Sequence, residues 1–214
     1  MFQVNDEDFQ KQIEQYREIV TRSFAILDKE IQLFNKHAND STFARVCGLI
    51  LVKCKYLFKA INILIWEGLG QESGALLRPA IEYSEALVYL TEDPKRIQRF
   101  LNDKLPPAGE IAKIIDGKFK ELREHLNEFA SHEKISYYSM THLVNMETGE
   151  LYSEPIVDAS VVKTNLLLLS GFIKYAALVG LETLKKYLEV PDGLENEIKL
   201  LEQKIVSLYD TLQK

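Results

Sequence analysis

Apolar residues recur at three- and four-residue steps through most of this chain, a period that fits the α-helix and excludes a strand-based fold. Phe9, Ile13, Tyr16, Val20, Phe24, Leu27, Ile31 and Phe34 trace one such stripe, with Asn5 placed to cap it and Asn39-Asp40 closing it. Ser41 opens a second helix to about Trp66, built on Val46, Leu49, Ile50, Leu57, Ile61 and Leu64, with Lys53, Lys55 and Lys59 interleaved and Gly68 and Gly70 stopping it. A third runs from about Ser73 to Asp93-Pro94 and holds Pro79, which either occupies an early turn or kinks the helix by depriving the Ala75 carbonyl of its partner. A short helix from Pro94 to about Asn102 follows, then one from about Gly109 to Ser131 on Ile115, Phe119, Leu122, Leu126 and Phe129. Periodicity lapses over residues 132–157, where Thr148-Gly149 predicts a small hairpin between 141–146 and 150–153. Asp158 caps a long helix to about Leu188, and Asp192 opens a last one from Leu194 to Leu212. The expected fold is all-α, an elaborated up-and-down bundle of about five long helices with one irregular insertion, residues 1–214 forming a single domain.

Composition agrees. Ten glycines and six prolines in 214 residues are too few for a turn-rich β fold. A net charge of −6 argues against non-specific duplex DNA as a partner. Cys47 and Cys54 lie seven residues apart on one helix, two turns from each other and too distant to bridge, so both read as reduced core thiols. The acidic, polar opening of the chain is no secretory signal, and a cytoplasmic location is expected. The most apolar stretch, residues 161–184, is interrupted by Lys163, Lys174 and Glu182 and reads as a buried core helix rather than a membrane span.

The third helix is apolar around most of its circumference yet carries Arg78, Glu82, Glu85 and Tyr89 within about 60° of one another. If that helix is buried, its charges must be paired or face a cavity, because stranding one costs about 3–5 kcal/mol. A later helix carries Glu121, His125, Glu128 and His132 at the same spacing. Were the two lines to face each other, Arg78 could pair with a carboxylate and a histidine held by Glu82 could act as general acid or base. The plainer reading of Arg78 and Glu82 is a surface i,i+4 ion pair. The candidate catalytic set is therefore Arg78, Glu82 and His132, with Glu85, Tyr89, His125, Glu128 and Ser131 as ligand contacts. No metal or cofactor is expected: the chain has no Glu-x-x-His, Cys-x-x-Cys, dinucleotide or phosphate-loop motif.

Leu77-Arg78-Pro79-Ala80-Ile81-Glu82, the closing Asp93-Pro94 and Asn127-Glu128-Phe129-Ala130-Ser131-His132 together resemble a group of uncharacterised microbial helical proteins, themselves similar to the HEPN helical bundles. That resemblance implies a dimeric bundle. Many HEPN proteins are metal-independent ribonucleases of toxin or defence systems that use an Arg-x(4–6)-His motif. Here Arg123 precedes His132 by nine residues and His125 by two, so the pair that would stand in is Arg78 with His132.

Three functions are then open. The favoured one is a helical-bundle binding module for a small anionic ligand, a nucleotide, an RNA or a partner protein. The alternatives are a HEPN-type ribonuclease and a structural oligomerisation protein, with a homodimer as the candidate assembly and no membrane partner.

Overall fold

The computed structural model describes residues 7–129, 143–145 and 147–212. Among these residues the chain is an all-α helical bundle, 79% helical and without strands. The helices are α1 (Glu7–His37), α2 (Thr42–Trp66), α3 (Gly70–Glu92), α4 (Ile97–Leu101), α5 (Ala108–Ile114), α6 (Lys120–Phe129), α7 (Ala159–Tyr187) and α8 (Leu194–Leu212), with a 3₁₀ turn at Pro94–Arg96. Two boundaries are set by caps that the sequence announces. Ser41 accepts a hydrogen bond from the Ala44 amide at 3.1 Å, and Asp158 accepts from the amides of Ser160 and Val161 at 2.8 and 3.0 Å.

Helix α7 is the hub, packing against α1, α2, α3 and α8. Leu166, Leu169, Ile173, Leu181 and Leu184 enter the core, and Ala176, Ala177 and Gly180 keep its surface low enough for close approach by neighbours. Each large side chain so buried stabilises by about 1.5–3 kcal/mol. By length and composition α7 could cross a membrane, and half of its most apolar window is buried inside the bundle. Cys47 and Cys54 are free and buried, and burial pushes both thiols up to about 12.

The core seam of α1 is rotated slightly from the expected stripe. Phe9, Ile13, Tyr16, Val20, Leu27 and Phe34 are buried, whereas Phe24 and Ile31 are only partly so. The two remaining seam positions belong to Ser23 and Glu30, both fully buried. Ser23 satisfies its hydroxyl by donating to the Ile19 carbonyl at 2.8 Å. Neither carboxyl oxygen of Glu30 has a hydrogen-bond partner among the described residues.

Two expectations need correction. The helix expected over 109–131 is two, because α5 ends where Asp116 turns to φ 50° and the Gly117 amide closes onto the Ala112 carbonyl at 2.7 Å. The hairpin reduces to one antiparallel bridge between Val144 and Leu151, turned by Gly149 at φ 72°. Pro79 lies in the interior of α3, which runs from Gly70 to Glu92, and so is not in an early turn. Asn5 lies outside the described residues.

Candidate ligand site along α3

The line of polar residues on α3 changes its surroundings along its length. At the N-terminal end it meets solvent. Arg78, 49% exposed, donates from Nε to Glu82 Oε1 at 3.0 Å, the surface i,i+4 pair of the plainer reading. Two turns further the line is covered by α5, α6 and α7, and Glu85 and Tyr89 are each 1% exposed. The buried charge expected at Arg78 is therefore at Glu85, because only the C-terminal half of α3 lies beneath the returning chain.

Glu85 pairs with Arg123 of α6, whose side chain is 13% exposed. Arg123 was not among the residues singled out from the sequence for this role, although it lies four residues after Phe119 on the apolar face of its helix. That same face sets Leu126 against Ile81. Glu121 lies 200° away by helical geometry and is exposed. The side chains of His125 and Glu128, and all of Ser131 and His132, lie outside the described residues. Arg78, the arginine that would serve a nuclease with His132, pairs with Glu82.

Glu85 is also enclosed by backbone. A Cβ on Gly117 would lie 2.5 Å from Glu85 Oε1 and 3.2 Å from the Ala112 carbonyl, so only glycine leaves room for the carboxylate. Glu85 Oε1 has no hydrogen-bond partner among the described residues. Burial raises the carboxyl above its ordinary range, Arg123 opposes that, and the nearby Glu82 charge adds to the rise. Tyr175 of α7 feels the same centre: burial and the Glu85 charge together raise its phenol. Phe119 meets the Tyr175 ring edge-on at 4.8 Å and lies 5.6 Å from Phe172, bolting the start of α6 to α7.

Tyr175 lines a groove of about 340 Å³ between α3 and α7. Val88, Leu178 and Val179 form its apolar walls, and Lys118, Lys186, Glu92 and Glu182 stand around it. Lys186 is held by the Thr91 carbonyl at 2.8 Å, which also accepts from the Tyr187 hydroxyl at 2.9 Å. On another side of α3 the Tyr89 ring is covered by the Arg96 guanidinium 4.0 Å from its centroid, and Arg96 donates to the Tyr89 carbonyl at 2.7 Å. Tyr89 thus anchors the 3₁₀ turn beneath α3. A larger hollow, about 640 Å³, lies at the α7–α8 turn, but Lys185, Glu195 and Lys199 around it are exposed ion-paired residues with no buried titratable group among them. Among the described residues no three His, Cys, Asp or Glu side chains cluster to hold a metal.

Residues 44–154, just over half of the 214 in the chain, match DUF5677, a family of unknown function. The chain belongs to that family. The DUF5677 segment runs from α2 through α6 to the Val144–Leu151 turn, so it contains Glu85, Gly117 and Arg123, while Tyr175 and the rest of the α7 wall lie beyond it. No curated protein and no solved structure matches the chain.

Proposed function

We propose that this DUF5677 chain is a binding module that takes a compact, largely apolar small molecule into the groove between α3 and α7. The observation that carries the reading is the buried Glu85–Arg123 pair, which has one carboxyl oxygen unpartnered among the described residues and whose carboxylate charge acts on Tyr175, a wall residue of that groove. An apolar hollow with a few convergent polar groups and a perturbed carboxyl beside it is the usual make-up of a ligand site, and its volume lies near the lower end of the ~300–1,000 Å³ such sites span. Val88, Leu178 and Val179 would take the apolar body, and Lys118, Lys186 and the Tyr175 hydroxyl would orient its polar groups. Rigid helices on both sides suit recognition, and the reading requires no complete catalytic set.

A fragment screen read by backbone amide NMR tests it. Fragments are expected to shift amides in 88–92 and 175–186, with affinity falling at least about tenfold in Leu178→Glu, a loss of ~1.4 kcal/mol. Shifts confined to the α7–α8 turn, or binding indifferent to Leu178→Glu, would overturn the proposal.

A further inference from the structure

The outer face of α2 carries a second, unabsorbed pattern. Leu49, Tyr56 and Ile63 recur at heptad spacing and are 57, 63 and 60% exposed, among the most exposed large apolar side chains in the chain. Val52 and Ala60, both half-buried, complete the stripe. At 100° per residue these five positions fall within about 80° of one another and extend over about 21 Å of helix, while Cys47, Cys54, Phe58 and Ile65 occupy the opposite, buried side. An apolar seam of this regularity facing outward is what a partner helix packs against.

The flanks of the seam say which partner. Lys53 borders it on one side and Lys59 on the other, both exposed, with Arg45 at its N-terminal end. The whole of α2 contains no Asp or Glu, in a chain whose net charge is −6. Lys55, the remaining cation of the helix, is turned away from the seam and pairs with Asp28 of α1. Neither Lys53 nor Lys59 forms an ion pair among the described residues. A second copy of the chain is poorly suited to the seam. Pairing with a second copy brings lysine-bearing flanks together in either direction, Lys53 beside Lys53 of the other copy when the helices run antiparallel about Tyr56 and Lys53 beside Lys59 when they run parallel, so both directions juxtapose like charge.

We infer that α2 is a docking surface for an amphipathic helix of another protein whose apolar edge is flanked by Asp or Glu. Leu49, Val52, Tyr56 and Ile63 would supply the interdigitating contacts, with Tyr56 central, and Lys53 and Lys59 would set the choice of partner by charge. The seam lies on the side of α2 away from the bundle core, so this surface and the α3–α7 groove are tested separately.

The experiment uses the full chain and two synthetic helical peptides of about 21 residues, spanning ~30 Å, with leucine at the a and d positions and either glutamate or lysine at e and g, at concentrations where each is monomeric. Fluorescence anisotropy is expected to show saturable binding of the glutamate peptide, at least about tenfold tighter than the lysine peptide. Lys53→Glu with Lys59→Glu, both at exposed positions, is expected to reverse that preference, and Tyr56→Asp to abolish binding of both peptides while circular dichroism stays unchanged. The inference is overturned by no saturable binding of the glutamate peptide, by equal binding of the two, or by a preference that survives the charge reversal. It is overturned equally if sedimentation shows the wild-type chain self-associating and Tyr56→Asp releasing monomers, since a second copy would then be the occupant.

Discussion

Glu30 offers the sharpest test of the packing. It sits fully buried on the core seam of α1, so close to α7 that a side chain at Gly180 would collide with its Oε2, and neither carboxyl oxygen is partnered among the described residues. Burial raises its folded carboxyl well above the ordinary value of 4.5. The sign follows from which state holds the proton. As pH rises above the ordinary value the unfolded chain releases the proton first, so the folded state binds more protons and stability falls with pH. That loss is about 1.4 kcal/mol per pH unit and continues until the folded carboxyl titrates, whereas below the ordinary value Glu30 carries no such penalty. Glu30→Gln removes the titration with little change of shape. Glu30→Met also removes the unpartnered polar group, whose burial costs about 1–3 kcal/mol. Urea unfolding of wild type and both variants at pH 5, 6 and 7 isolates the effect, because the other titrations cancel in the difference. The stability advantage of each variant over wild type is expected to grow with pH at close to that slope, with Glu30→Met the most stable chain at pH 7. A pH-independent difference, or a wild type more stable than Glu30→Met at pH 7, would refute the assignment of an uncompensated buried acid.

Two further predictions separate buried from surface chemistry on α3. Arg123→Ala strands the Glu85 carboxylate and is expected to cost about 3–5 kcal/mol in urea unfolding. Arg78→Ala acts at a half-exposed ion pair and is expected to cost less than Arg123→Ala, so equal losses for the two variants would contradict the placement of the buried pair. Gly117→Ala drives a methyl group toward Glu85 Oε1 and is expected to cost about 1–3 kcal/mol, with part of the loss recovered in Gly117→Ala/Glu85→Ala; strict additivity in that double-mutant cycle would show that the two residues do not touch.

The helices themselves were readable because their determinants are local. Apolar spacing, the caps at Ser41 and Asp158, and the glycine at φ 76° after α2 act within one or two turns of chain, and they place α1, α2, α3, α7 and α8 close to where they lie. The 109–131 segment reads as one helix although its Asp116-Gly117 dipeptide is a turn signal, because the stripe from Ile115 to Phe129 runs across it with an unbroken period.

The sequence by itself determined that the chain is helical, where most helices begin and end, and that α3 carries a line of polar groups on an apolar helix. Which members of that line are buried was decided by tertiary structure alone: α5, α6 and α7 cover Glu85 and Tyr89 and leave Arg78 in water. The partner of Glu85 was equally out of reach, because Arg123 is 38 residues away and the turn at Gly117 that delivers it works only if a glycine sits against that carboxylate. Periodicity tells which residues share a face of a helix. What that face meets depends on neighbours distant in sequence, and that meeting makes one glutamate a surface ion-pair partner, a second a buried salt bridge and a third, Glu30, an acid held in the core.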